Sequence, residues 1–455
     1  MSMFPLSRAT GWLGARQIGA DVAIESVGSD TRSLRPGQLF VALTGPRFDG
    51  HDFAAEAESR GAAALLVSRE LETRLPQLLV PDTRLALGRL AAAWRGTLPG
   101  RVVAVTGSNG KTTTKEMIAA ILAEVGSVAA TRGNLNNDIG LPLTLLEARE
   151  QDYLVLEMGA NHSDEIAGLS AIARPDLALI TNAGRAHLEG FGSLEGVARA
   201  KGEIIQGLRR DGVFVLNADD LWAPLWRELA AGRELLSFGR DSAADVHPDA
   251  VQQALALNGS GFHCRYRIHT PRGPLDLQLA LAGEHNMLNA LAAVAVAEAL
   301  GVEHALIRTA LAGLRPVAGR IRPRAGRAGS VLIDDSYNAN PESVRAALAV
   351  LSGLPGRRWL VLGDLGELGA DAAALHGEIG RRAKRAGLER LWTVGPLSRE
   401  AVAGFGAGGR HFSDRETLVA ELQVALGEDD VVLVKGSRSA AMEFVVEGLA
   451  PKGDQ

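Results

Sequence analysis

At 455 residues the chain exceeds what one ordinary hydrophobic core accommodates, and at about 150 residues per domain it predicts roughly three domains. Hydrophobic residues at 46% and charged residues at 22% describe a globular protein and exclude disorder on any large scale. A net charge of -5 without a long Lys/Arg run argues against a nucleic-acid partner, and the lone Cys264 excludes an internal disulfide and suits a reducing compartment.

The N-terminus shows no basic segment followed by an apolar one, so no signal peptide is expected. The first eighty or so residues read as a small α/β unit: a strand at Gly37–Leu43, a helix at Phe53–Arg60 and a strand at Ala62–Val67. Asp82 or Thr83 then caps a linking helix, Arg84–Trp94. From Arg101, strand-like runs at Val102–Thr106, Tyr153–Leu156, Leu177–Thr181 and Val213–Asn217 alternate with helical patterns, which predicts a mostly parallel sheet.

The rhythm changes between about Leu235 and Leu281. There Phe262–Ile268 and Leu275–Ala280 read as antiparallel strands before an Ala-rich helix, His285–Leu300. The most apolar stretch, Met287–Val302, is broken by Asn289 and Glu298 and is too short to cross a bilayer, so a cytoplasmic protein is expected. Gly, Pro and Arg crowd Leu314–Gly329, the second boundary. Beyond it, Ser330–Asp334, Trp359–Gly363, Arg390–Val394 and Val431–Val434 predict a further three-layer α/β domain. The expected units are 1–82, 83–316 and 317–455.

The strongest chemistry lies in Val102–Met117, where a buried strand delivers Gly107, Ser108, Asn109, Gly110, Lys111, Thr112 and Thr113 to the start of a helix. Backbone N–H groups in such a turn point at phosphate oxygens, and the helix adds its positive end. Lys111 would neutralise the β/γ-phosphates of ATP, and Thr112 would offer a hydroxyl to magnesium. The strict phosphate-loop pattern wants a glycine where this chain has Val105.

Two later strands end in groups suited to magnesium, Glu157 after Tyr153–Leu156 and His187 after Leu177–Thr181. Ends of parallel strands share one edge, where ligands bind. Carboxylate is a natural hard ligand, whereas His187 by chemistry alone reads as a hydrogen-bonding loop residue. Lys201 reads as a solvated helix lysine, and Asn289 as a surface amide or cap. Asp334–Pro341 places two carboxylates and a polar turn at a strand end.

Eleven segments together resemble the Mur ligases, over essentially the whole chain. They are Ser29–Arg32, Gly37–Leu43, Thr106–Lys115, Asn134–Pro142, Leu156–Asn161, Asn182–Gly192, Ala200–Glu203, Gly283–Asn289, Asp334–Pro341, Leu362–Gly369 and Lys435–Ser439. The resemblance implies a three-domain α/β fold: a small N-terminal domain for the UDP-sugar, a central phosphate-loop domain for ATP and a C-terminal Rossmann-like domain. It is nearest to the branch that joins D-alanyl-D-alanine to UDP-N-acetylmuramoyl-tripeptide in peptidoglycan synthesis, through an acyl phosphate. Those two molecules are then the partners, and the chain is expected to act as a monomer.

By the same resemblance, Glu157 and His187 bind magnesium, and Lys201 matches a lysine carbamylated by carbon dioxide into a metal-binding carboxylate. Asn289 would contact adenine, while Arg320, Asp335 and Asn338 would cover the γ-phosphate and ribose. Ser29, Thr31, Arg32, Phe48, Asp49, Gly50 and His51 would receive the UDP-sugar, with Asn134, Asn136 and Asn137 at the next boundary. Lys435 and Ser437 would meet substrate carboxylates. Two other readings are a relative that adds a single amino acid, whose Asp-Asn-Pro-Arg segment is absent here, and an ATP-binding switch without catalysis.

Overall fold

The computed structural model describes residues 2–185, 188–249, 256–258 and 261–451. Three sheets organise it, one in each third of the chain. The N-terminal sheet runs Arg16–Ile18, Gln77–Leu79, Ala64–Val67, Gln38–Val41, Ser26–Gly28, parallel except where its first strand pairs with the second. Asp82 ends this unit and caps the helix Thr83–Arg95, its Oδ1 accepting from the N–H groups of Arg84 (2.8 Å) and Leu85 (2.9 Å).

The central sheet is fully parallel, in the order Val128–Ala130, Tyr153–Glu157, Arg101–Thr106, Leu177–Ile180, Val213–Asn217, Glu234–Phe238. Its middle strand is buried on both faces, which is why Val102–Val105 is unbroken apolar sequence. Val103 and Val105 pack with Met117, Ile118 and Ile121 of the helix Lys111–Ala123. Val102 and Ala104 pack on the opposite face with Leu141, Leu145 and the linking helix. The alanine-rich helix Glu284–Ala299 lies against Lys111–Ala123, its small side chains allowing close approach. An antiparallel hairpin, Gly261–Thr270 with Gly273–Leu279, precedes it.

The C-terminal sheet is parallel apart from its first strand: Arg322–Ala325, Val331–Asp335, Asp430–Lys435, Arg357–Gly363, Arg390–Val394, Gly409–Phe412. Among the described residues no helix is long and apolar enough to cross a membrane.

Several elements depart from the sequence reading, the following three among them. Glu234–Phe238 is the sixth parallel strand of the central sheet rather than the start of the antiparallel part; as an edge strand it is only half covered, so it carries no continuous apolar run. Arg322–Ala325 is a strand inside the boundary stretch, where an exposed edge tolerates Pro323 and two arginines. A helix at Leu6–Leu13 buries Leu6, Ala9 and Leu13 and went unpredicted.

Candidate active site in the central cavity

The C-terminal edge of the central sheet opens into a cavity of about 1630 Å³, closed on one side by the linking helix and on another by the C-terminal domain. The phosphate loop forms its floor. Gly107 (φ 146°) and Gly110 (φ 82°) hold backbone conformations that side chains disfavour, and they also have no room. A Cβ on Gly107 would stand 2.0 Å from Thr181 Oγ1, and one on Gly110 2.2 Å from Asn289 Oδ1. No side chain caps the helix Lys111–Ala123, so its first-turn N–H groups are offered to the cavity. Lys111 folds over the loop and donates to the Gly107 carbonyl at 2.7 Å; burial lowers its ammonium pKa.

Thr112 and Glu157 meet directly, the threonine hydroxyl donating to Glu157 Oε2 at 2.9 Å. Asn136 Nδ2 donates to the other carboxylate oxygen at 2.9 Å and to Asn134 Oδ1 at 3.1 Å. Asn137 turns the chain, accepting from the N–H of Gly140 at 2.8 Å. All five residues line the cavity. Thus one carboxylate and one hydroxyl stand beside Lys111, hard oxygen donors of the kind magnesium prefers. Among the described residues no three His, Cys, Asp or Glu side chains gather as a ready ion site. His187 lies outside the described residues.

Lys201 is not the solvated lysine that its sequence suggests. It is 2% exposed, set behind the cavity wall with its ammonium 5.1 Å from the Phe191 ring centre. Burial, with repulsion from Lys111, brings its pKa down to about 7. Asn289 is likewise no surface amide: it is 6% exposed, its Oδ1 accepts from Thr114 Oγ1 at 3.2 Å, and it lies under Gly110.

The C-terminal domain presents Arg320, Asp335, Asn338 and Ser437 to the same cavity. Arg320 stacks over Tyr337 at 4.3 Å from the ring centre. Lys435 is already partnered: its buried ammonium donates to Asp335 Oδ2 at 2.6 Å and to the Asn338 carbonyl at 2.9 Å. It therefore holds Asp335 and the 338 turn while itself lining the cavity. Burial pulls this pair toward neutrality, raising the carboxyl and lowering the ammonium. Burial, with a smaller contribution from Lys435, pushes His285, also on the wall, down to about 4, so its imidazole is neutral at physiological pH.

Ser29, Thr31, Arg32, Phe48, Asp49, Gly50 and His51 do not line this cavity. They gather at the C-terminal edge of the N-terminal sheet, next to Ser68 and Arg69. Phe48 is exposed, and Arg32 is paired with Asp30. His51 and Thr31 are buried. The His51 ring sits 2.6 Å from Asp49 Oδ1 through Nδ1 and accepts from the Ser68 N–H through Nε2 at 2.9 Å, so it shapes this edge from beneath. Gly50 is required by packing, since a Cβ would meet the Leu43 carbonyl at 2.5 Å.

Sequence reasoning missed Arg84 and Arg89 of the linking helix, and Asn182, His285 and Asn340, all on the cavity wall. Arg84 pairs with Asp138 across the cleft at 2.5 Å. The available signal was position: Asn182 and Asn340 each follow a strand end within segments already singled out, whereas two arginines on a helix read equally well as a solvated face.

Comparison with known proteins agrees with this geometry. The chain matches the Mur ligase family, catalytic domain model over residues 23–95, the Mur ligase middle domain over 105–297 and the Mur ligase, glutamate ligase domain over 319–438. It is 48% identical over 451 residues, 98% of each chain, to the UDP-N-acetylmuramoyl-tripeptide–D-alanyl-D-alanine ligase of Escherichia coli K12. Among solved structures it resembles the UDP-N-acetylmuramoylalanyl-D-glutamyl-2,6-diaminopimelate–D-alanyl-D-alanyl ligase of Acinetobacter baumannii, with TM-score 0.87, 35% identity and 98% of each chain covered. It also resembles the MurF ligase of Thermotoga maritima in complex with ADP, with TM-score 0.82 and 32% identity over 93% of this chain and 96% of that one.

Proposed function

Because this chain belongs to the Mur ligase family, we propose that it joins D-alanyl-D-alanine to UDP-N-acetylmuramoyl-tripeptide, consuming ATP and releasing ADP and phosphate. The single observation that carries the reading is the facing arrangement of Lys111, Thr112 and Glu157 on the central domain with Arg320 and Asp335 on the C-terminal one, around one cavity. We take diaminopimelate as the tripeptide's third residue, as in the name of the Acinetobacter relative, and cytoplasm, where UDP-sugars and ATP are found, as the compartment.

The carboxylate of the tripeptide is a poor electrophile. One of its oxygens attacks the γ-phosphorus of ATP, ADP leaves, and an acyl phosphate results. The phosphate-loop N–H groups and Lys111 stabilise the β- and γ-phosphate oxygens, and Arg320 counters charge on the transferring group from the opposite wall. The amine of D-alanyl-D-alanine, neutral for a useful fraction of the time at an unperturbed pKa of about 7.7–8.0, then adds to the carbonyl carbon. Its proton is lost, the tetrahedral intermediate collapses, and phosphate departs. Asp335, held by Lys435, would orient the nucleotide with Asn338.

Thr112 and Glu157 fit magnesium by donor chemistry, and a carbamate on Lys201, with His187, would complete the set. Bound there, magnesium would neutralise phosphate charge. Carbamylation suits Lys201 because it is buried and, among the described residues, no carboxylate lies within ion-pair distance of its ammonium. The N-terminal edge around Arg32 and Phe48 would take the UDP-sugar, with Asn134, Asn136 and Asn137 carrying its peptide toward Glu157.

Phosphate release measured with each substrate omitted in turn tests the reading. Stoichiometric release only when both the UDP-tripeptide and D-alanyl-D-alanine are present is expected. Release with ATP alone, or with a single amino acid as acceptor, would overturn it; a competition between diaminopimelate- and lysine-containing tripeptides settles the third residue.

A further inference from the structure

The phosphate loop is gripped from three sides, and one grip comes from another domain. Asn182, just past the strand Leu177–Ile180, accepts from the Asn109 N–H at 2.9 Å and donates to the Asn109 carbonyl at 3.0 Å. Asn289 fills the space under Gly110. Both belong to the central domain. The third is Asn340 of the C-terminal domain, whose Nδ2 donates to Asn109 Oδ1 at 2.7 Å.

The sense of that last bond follows from its surroundings. Asn340 is the N-cap of the helix Pro341–Ser352, and its Oδ1 accepts from the Ser343 N–H at 2.8 Å. Ser343 Oγ returns the contact, accepting from the Asn340 N–H at 3.0 Å. The oxygen is therefore committed to the helix, and the NH2 end is turned to the loop. A capped helix end is a rigid mount, so any shift of the C-terminal domain carries this donor away from Asn109. Arg185 and Glu342 approach to 3.8 Å along the same seam. On the loop side, Asn109 sits between the glycine joints Gly107 and Gly110; its backbone N–H and carbonyl are already taken, which leaves its side chain as the remaining handle.

We propose that Asn340 is a positioning residue for phosphoryl transfer, acting through Asn109 to register the phosphate loop once the C-terminal domain is seated. The proposal rests on the ligase reading above. It ties two events that must coincide: closure of the wall that carries Arg320, and alignment of the loop that carries Lys111. Nucleotide binding to the central domain alone does not need the bond, whereas transfer of the γ-phosphate does.

A double-mutant cycle on the full chain tests it. Asn340→Ser keeps a capping oxygen but is too short to reach Asn109; Asn109→Ala removes the same bond from the other side; Asn340→Ala removes bond and cap together. One neutral hydrogen bond corresponds to roughly a fivefold to tenfold change. Asn340→Ser is expected to lower kcat by about that factor, with the Kd for ATP measured on the enzyme alone and the melting temperature unchanged. Asn340→Ala should add a loss of thermal stability. The Asn109→Ala/Asn340→Ser double variant should be no slower than the slower single variant. Wild-type kcat in Asn340→Ser, or single effects that multiply in the double variant, would overturn the proposal while leaving the ligase reading intact. A wild-type enzyme that forms no product would overturn both.

Discussion

Lys201 brings an ammonium into a place where charge is costly. Its ordinary pKa of 10.5 falls to about 7 because burial removes water and Lys111 adds like charge. An amine must be neutral to attack carbon dioxide, forming a carbamate and releasing a proton, so the shift makes Lys201 reactive at neutral pH where an exposed lysine is not. The sign follows: lowering pH through about 7 protonates the folded-state amine and should stop formation of the proposed carbamate. Enzyme stripped of carbon dioxide should regain activity on adding bicarbonate at pH 8 far better than at pH 6. Lys201→Ala should lose at least roughly tenfold in kcat, as losses around a metal site commonly do, and small carboxylates should restore part of it. A wild-type rate in Lys201→Ala would remove the role. Residues such as Lys111, Thr112 and Glu157 were legible because a strand-to-turn pattern announces their position. Lys201 and Asn289 were not, since their burial depends on packing that spacing does not reveal, against Phe191 for Lys201 and against the distant Gly110 for Asn289.

Elements position these side chains, and one close fit is between the phosphate loop and the helix Glu284–Ala299. Asn289 Oδ1 occupies the volume a Cβ on Gly110 would need, at 2.2 Å, and Gly110 has φ 82°. Gly110→Ala therefore meets both a backbone penalty of about 1–2 kcal/mol and a collision. Gly301, with φ 74° and nothing within 4 Å of an added Cβ, isolates the first effect. Denaturant midpoints and kcat for the two variants should diverge: Gly301→Ala loses about 1 kcal/mol of stability and keeps its rate, while Gly110→Ala loses more and ligates at least roughly tenfold slower. Equal stability losses and unchanged rates in both would show that the helix does not set the loop. At this scale the sequence was readable where a strand is covered on both faces, as at Val102–Val105, since burial demands an apolar run. It failed at edges, Glu234–Phe238 and Arg322–Ala325, where half-exposed strands carry charge and proline and imitate loops.

Across the whole molecule, the groups that the proposed ligation would use line one cavity from two domains. The central domain carries Lys111, Thr112 and Glu157; the C-terminal domain carries Arg320, Asp335 and Lys435. Ile321, next to Arg320 at the entry to the C-terminal sheet, has φ 47°, a costly conformation for a β-branched residue. At the loop the domains are bridged by polar contacts, Asn340 with Asn109 and Arg185 with Glu342, while behind it apolar side chains of both domains, Leu281 and Ala282 with Val344 and Val350 among them, share one buried cluster. The polar contacts at the loop are individually weak, because an exposed ion pair contributes about 0–1 kcal/mol and a neutral hydrogen bond about 1. ATP held as proposed between Lys111 and Arg320 would add charge-assisted contacts on both sides, so nucleotide and UDP-tripeptide together should shift the population toward the seated arrangement. Small-angle scattering should then show a smaller radius of gyration with both ligands than with neither, and Arg320→Ala should weaken that contraction. Superimposable curves with and without ligands would mean that the domains are already seated, and the rate effect of Asn340 would have to come from loop geometry alone.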